Sequence, residues 1–425
     1  MRNPEVAAEA AAATPSPWLT VVGIGDDGLA GLTPAVRTLI ETAELLVGGA
    51  RHQAMIEGIA AERLTWDGGV HRAAAAIAGW RGRRVVVLAT GDPLWFGGGA
   101  SLARHFAAGE MAVVPHPGAF SLAAARMLWP LADVACVTVH SRPLETLILH
   151  LQPGARLLVL SRDGATPAQA AALLTARGFG PSRITVLEHL GGTAERRREG
   201  LAETWVHPHG ADLNTLAVEC RPGPRPVLLP RAAGLPDVLF ENDGQLTKRE
   251  VRAVTIAALA PLAGQVLWDV GAGSGSVAIE WLRAAQPGFR IAGGSEAQAI
   301  AVEREPGRCA AIARNAAALG VPHLQVVPGE APAACASLEA DPDSVFVGGG
   351  AARPGLLDRC WDRLRSGGRL VANAVSLEAG ARLLDFRRRH GGELVRIAIS
   401  RAAPIGRLTG LRALMEVTQY TGEKP

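Results

Sequence analysis

Two glycine-bearing turns carry the chemistry this sequence offers. In the second half, Leu267-Trp268-Asp269-Val270 runs into Gly271-Ala272-Gly273-Ser274-Gly275, and the helix-patterned Val277-Ala278-Ile279-Glu280-Trp281-Leu282 follows. Glycines let the backbone turn sharply and approach a ligand closely. The helix behind them points unpaired N–H groups at that ligand. An acidic residue ending the next strand can accept both hydroxyls of a ribose laid across such a turn. Glu303, after Ile300-Ala301-Val302, is the candidate. It lies 32 positions beyond Gly271, against roughly 20 in the dinucleotide fingerprint. The excess sits in 291–299, which reads as an insertion. That leaves Glu296 as a rival, but no apolar strand precedes it, and Glu303 is favoured.

Further ligand-type residues end the following strands. Gly329-Glu330-Ala331-Pro332 places a carboxylate and free N–H groups where a base would lie, and Gly348-Gly349-Gly350 follows the next strand. Open α/β sheets bind ligands at this carboxyl edge. In the first half, the apolar Val85-Val86-Val87-Leu88-Ala89 opens into Thr90-Gly91-Asp92-Pro93-Leu94-Trp95-Phe96-Gly97. Its glycines and Pro93 force an irregular loop whose backbone groups can hold a ligand.

These turns need a scaffold, and the chain supplies alternating helix and strand patterns throughout. Strand-like runs at 18–25, 45–47, 85–89, 111–114, 136–139, 157–160, 184–187 and 216–219 alternate with helical ones at 34–43, 71–80, 101–108, 121–128, 144–151 and 167–177. Thr33-Pro34 reads as an N-cap followed by proline at the first helical position. Alternation at this spacing predicts α/β layers. Arg221-Pro222-Gly223-Pro224-Arg225-Pro226 is a semi-rigid spacer, which puts a boundary between about 222 and 235. The second half predicts a helix over 248–259, strands at 266–270, 300–303, 324–327, 344–347 and 369–372, a helix from 377, and strands at 394–399 and 414–420. The expected organisation is a disordered tail over 1–17, one domain over 18–225 and another over 226–425.

Composition excludes several classes. The chain has 425 residues, 48% apolar, with formal net charge +3. That length calls for two or three domains, and that charge gives no nucleic-acid footprint. Lys248 and Lys424 are the only lysines; the positive charge is otherwise arginine, which grips carboxylates in a bidentate way. Cys136, Cys220, Cys309, Cys335 and Cys360 are scattered with no C-x-x-C pair, so neither a metal site nor a disulfide framework is expected. No apolar run is long enough for a membrane span. A reducing cytoplasm fits.

The G-x-G-x-G turn with Glu303 resembles class I methyltransferases that use S-adenosylmethionine, across the whole second half; nicotinamide enzymes show G-x-G-x-x-G, and position 276 here is Ser276. Residues 90–97, with the Val22-Gly23-Ile24-Gly25 turn, resemble the tetrapyrrole methylases, whose two α/β lobes hold the donor between them. The break at Pro115-His116-Pro117-Gly118 fits the lobe boundary. Pro117-Gly118-Ala119-Phe120-Ser121-Leu122-Ala123-Ala124-Ala125-Arg126, Glu188-His189-Leu190-Gly191-Gly192 and Asp212-Leu213-Asn214-Thr215-Leu216 resemble the corrin-pathway methylase acting at C5. Asp243-Gly244-Gln245-Leu246-Thr247-Lys248-Arg249-Glu250-Val251-Arg252 resembles the entry to its partner methylase. In order and content, 18–420 is similar to the fused corrin-ring methylases of cobalamin synthesis.

The resemblance implies an N-terminal two-lobed tetrapyrrole methylase fold joined to a C-terminal Rossmann-like class I fold. It implies methyl transfers at C5 and C15 and loss of carbon dioxide from the ring C acetate, with S-adenosylmethionine as cofactor, a small-molecule tetrapyrrole substrate, no nucleic acid, no membrane, no metal, and a homo-oligomer. Donor contacts would fall on Gly91, Asp92, Pro93, Gly97 and Ser121 in the first half. In the second they would fall on Thr247, Gly271, Ala272, Gly273, Ser274, Gly275, Glu303, Glu330 and Ala331. Lys248, Arg249, Asn373, His140 and Arg142 would lie towards substrate. No catalytic triad is expected, because transfer from an activated sulfonium needs positioning more than a strong base. The alternatives are an RNA methyltransferase, disfavoured because no basic, aromatic-studded patch accompanies the Gly348–Gly350 turn, and a scaffold that merely retains its nucleotide-binding turns.

Overall fold

The computed structural model describes residues 17–66, 69–286 and 296–425. All but Pro17 of the expected tail, and 291–295 of the expected insertion, lie outside them. The chain divides into two compact units. One comprises residues up to Arg142 with Gln152–Pro226, and the other Val227–Pro425 with the short segment Pro143–Leu151.

Among the described residues, the first unit holds two five-stranded sheets. In the first, β1 (Leu19–Ile24), β2 (Leu45–Val47), β3 (Glu62–Leu64), β4 (Val85–Thr90) and β5 (Met111–Val114) run parallel in the order β3-β2-β4-β1-β5. Val85 and Val87 pack into one apolar cluster, and Val86 and Leu88 into another. Both faces are therefore covered, which is why β4 reads as an unbroken apolar run rather than an alternating one. Thr33 Oγ1 accepts the Val36 N–H and Pro34 opens the helix Pro34–Glu41. In the second sheet, β6 (Ala135–Thr138), β7 (Arg156–Leu160), β8 (Arg183–Glu188), β9 (Arg196–Leu201) and β10 (Asn214–Glu219) lie in the order β6-β7-β10-β8-β9, with only β6 and β7 parallel.

The second unit is built on one seven-stranded sheet of β11 (Val266–Val270), β12 (Gln298–Glu303), β13 (Gln325–Pro328), β14 (Ser344–Val347), β15 (Arg369–Ala374), β16 (Glu393–Ile397) and β19 (Val417–Glu423). A separate hairpin, β17 (Ser400–Ile405) and β18 (Leu408–Ala413), lies between β16 and β19 in the chain. The sheet order is β13-β12-β11-β14-β15-β19-β16, and β19 alone runs against the rest. The order reverses at β11, so the turn after it opens on the crevice where such sheets take ligands. The terminal strand expected over 414–420 begins three residues later, at Val417, and the sequence pattern carries no signal for the hairpin before it.

No helix among the described residues is long and apolar enough to cross a membrane.

Candidate functional site

In β11, alternation sends Trp268 and Asp269 to opposite faces. Trp268 joins the apolar core with Val270. Asp269 is fully buried and its Oδ2 accepts the Ala278 N–H at 3.0 Å. The helix Ser276–Ala284 begins after Gly275, which has no side chain to cap it, so Asp269 satisfies an otherwise orphaned first-turn donor from the strand below. Burial, with the nearby Glu303 charge adding to it, pushes the Asp269 carboxyl up to about 7.

The three glycines of the turn all hold left-handed backbone, with φ of 70°, 60° and 74° at Gly271, Gly273 and Gly275. A Cβ at Gly271 would stand 2.9 Å from the Gly349 backbone, and one at Gly275 would meet Ile312 at 2.8 Å. Glu303, 5% exposed at the end of β12, accepts the Gly273 N–H on Oε2 at 2.8 Å. Its Oε1 accepts from Arg304 and Glu305 N–H groups at 2.9 and 3.0 Å. The carboxylate is thereby fixed before any ligand arrives.

A cavity of about 640 Å³ opens over this turn. Gly271, Ala272, Gly273, Glu303, Glu330, Ala331, Thr247, Lys248 and Asn373 all line it. Ser274 and Gly275 do not; Ser274 borders a smaller neighbouring pocket with Asp243 and Arg308, and Gly275 serves helix packing. Arg249 is exposed on the first turn of the helix Arg249–Leu259, outside the cavity lining. Glu296 precedes β12 and also lies outside that lining.

Cations gather around the cavity. Arg308 pairs with Asp243 at 2.8 Å, and Arg353 pairs with Glu330 while its Nη1 donates to the Ala331 carbonyl. Lys248 has no side-chain partner among the described residues. Asn373 is held from behind: its Nδ2 donates to Thr255 Oγ1 at 3.0 Å and its Oδ1 accepts from Gln419 at 2.9 Å. Val375, Ile399, Leu414 and Met415 supply an apolar wall. Beneath Thr247, the fully buried Arg252 donates to the Thr247 carbonyl and pairs with the buried Glu280 at 2.7 Å. Arg353 and the wall at 399 and 414–415 escaped the sequence reading. The only signal for Arg353 was its place just after the Gly348–Gly350 turn.

In the first unit, Gly91 has φ 59°, and a Cβ on it would lie 2.6 Å from Gly118 Cα. The loop after β4 is thus pressed against the start of the helix Ala119–Met127, which carries Ser121 exposed in its first turn. Asp92 Oδ1 accepts the Leu94 N–H at 2.9 Å, and a Cβ at Gly97 would meet the Pro93 carbonyl at 2.6 Å. Gly91, Asp92, Pro93 and Gly97 therefore form one tight loop. Trp95 is half exposed and packs edge-on against Phe120. His140 and Arg142 sit on the loop after β6, His140 exposed.

A polar cluster lies beside the same loop. Arg51 bridges Asp26 at 2.7 Å and Thr90 Oγ1 at 2.9 Å. His52 Nε2 meets the same hydroxyl at 3.0 Å. Burial, reinforced by the Arg51 charge, pushes His52 down to about 4, so it is neutral at physiological pH. Asp26 and Arg51 belong to no motif, and nothing in the sequence joins them.

Family models match both parts of the chain: tetrapyrrole (corrin/porphyrin) methylases over 19–205 and a precorrin methyltransferase domain over 238–424. A precorrin-6Y C(5,15)-methyltransferase (decarboxylating) from Sinorhizobium sp is 49% identical over 414 residues, covering 96% of this chain and 97% of that protein. One of the same name from Mycobacterium tuberculosis is 41% identical over 96% of this chain and 100% of that protein. The crystal structure of the C-terminal domain of precorrin-6Y C5,15-methyltransferase from Rhodobacter capsulatus is 42% identical, covers 46% of this chain and 100% of that one, and has a TM-score of 0.42.

Proposed function

The chain belongs to the family of decarboxylating precorrin-6Y C5,15-methyltransferases, and we propose that its two units divide the chemistry of that family between them. It is a C-methyltransferase of cobalamin synthesis. The first unit methylates C5, and the second methylates C15 and removes carbon dioxide from the ring C acetate, giving precorrin-8X from precorrin-6Y. S-adenosylmethionine supplies both methyl groups.

The observation that carries this reading is the prepared carboxylate of Glu303 beside a turn whose Gly271 and Gly275 have no room for a Cβ. Glu303 would take the ribose hydroxyls, and the close backbone at Gly271–Gly273 would admit the rest of the donor. The residues present therefore fit such a group. Lys248 then faces the carboxylate fringe of the ring with its charge uncompensated, where an ammonium–carboxylate hydrogen bond is strongest. The wall of Val375, Ile399, Leu414 and Met415 covers an apolar ring face and excludes water. In-line transfer needs positioning above all, and decarboxylation needs an electron sink, which the conjugated ring itself provides. An RNA substrate finds no support in a chain of net charge +3 whose turn after β14 is three glycines.

Titrating the full chain with S-adenosylmethionine by calorimetry tests the division. Two equivalents should bind per chain; a single site would contradict it.

A further inference from the structure

His189 follows β8 with φ 50°, a left-handed conformation that histidine enters more often than most side chains but that still costs a non-glycine residue. Its Nδ1 lies 3.0 Å from Asp26 Oδ2. Asp26 Oδ1 is taken by Arg51, which also binds Thr90, the residue before Gly91. Gly192 comes so close behind that a Cβ on it would stand 2.4 Å from Asp26 Oδ2. A carboxylate oxygen accepts, so Nδ1 is the donor in this contact and Nε2 is the ring nitrogen left for a ligand. The His189 side chain is 32% exposed and that of Asp26 15%: the ring is open to a ligand while its anchor is not. Glu195, nearby, is already paired with Arg126.

We propose that His189 accepts the proton the macrocycle must release when C5 is methylated, with Asp26 as its positioning residue. This rests on the reading that the first unit acts at C5. Ring carbon C5 forms its new bond with a π pair as the carbon–sulfur bond breaks and its electrons stay on sulfur. The ring is left cationic and regains neutrality by losing one proton, from C5 or a conjugated ring nitrogen, to His189 Nε2. The imidazolium then passes that proton to water. A carboxylate that fixes the tautomer and steadies the imidazolium is the division of labour of the Ser-His-Asp triad.

His189→Gly, which also relieves the left-handed backbone, tests this in the full chain with precorrin-6Y and donor. C5 methylation should fall at least about 100-fold in kcat, the low end for a general base, with KM little changed and two donor equivalents still bound. Added imidazole should restore part of the rate. Asp26→Asn should lower kcat without rescue by imidazole. In the wild-type protein, diethylpyrocarbonate should modify His189, and substrate without donor should block that, read by peptide mass. Near-normal kcat in His189→Gly, a loss that imidazole leaves untouched, or equal labelling with and without substrate overturns the assignment. If the wild type itself places no methyl at C5, the underlying reading fails instead.

Discussion

The Gly273 N–H donates to Glu303 Oε2 at 2.8 Å, tying the end of β12 to a turn 30 residues earlier. Because the other carboxylate oxygen is held by two backbone N–H groups of its own turn, the side chain meets its ligand without reorganising. A charged hydrogen bond is worth about 1.5–3 kcal/mol. Glu303→Gln should therefore weaken donor binding in the second unit by about 10–100-fold, while Glu296→Gln should change it less than about twofold. Calorimetry on the two variants checks this; the reverse pattern would overturn the assignment.

Gly271 and Gly244 both hold left-handed backbone, with φ of 70° and 98°. Only Gly271 is also crowded, by the Gly349 backbone; a Cβ at Gly244 meets nothing within 4 Å. Alanine at either position carries backbone strain of order 1–3 kcal/mol. Gly271→Ala should add a steric cost and abolish donor binding in the second unit, whereas Gly244→Ala should keep it. Thermal melts and donor titration separate the two.

Arg252 is fully buried, pairs with Glu280 and Asp237, and stacks over Phe240 at 4.6 Å. Arg252→Met strands the Glu280 charge and frees the Thr247 carbonyl. Breaking a buried pair costs about 3–5 kcal/mol. Urea unfolding should show a transition lowered by that amount, with weaker donor binding because Thr247 is no longer anchored.

Asp269 gives a pH signature. Its folded pKa, about 7, stands above the ordinary 3.8, so the fold prefers the protonated acid. That contribution is complete below pH 4 and is lost as pH rises through 7. Asp269→Asn cannot ionise. Its stability relative to wild type should rise between pH 4 and 8, by no more than about 4 kcal/mol at 1.36 kcal/mol per pKa unit. Urea midpoints at the two ends of that range measure it.

Local signals made part of this legible. Glycines after β11 and the acid ending β12 are close in sequence to the strands that place them, and the apolar run at 85–89 announces a strand buried on both faces. Edge elements gave no such signal. Strand β9, Arg-Arg-Arg-Glu-Gly-Leu, carries charge where a core strand would alternate, and the hairpin β17–β18 exposes Ile405, Leu408 and Leu411, so periodicity has no buried face to report. Distance hid the rest. Asp26 and His189 are 163 residues apart, and only folding makes them partners. The Glu188-His189-Leu190-Gly191-Gly192 motif is local, but the partner of its histidine, Asp26, comes from another strand end.

Incubating the protein with precorrin-6Y and S-adenosylmethionine, and reading the product by mass spectrometry, reaches the central claim directly. The account predicts a gain of two methyl groups and the loss of one carbon dioxide from each ring. A product that gains one methyl group at saturating donor, or that keeps every carboxylate, would contradict it.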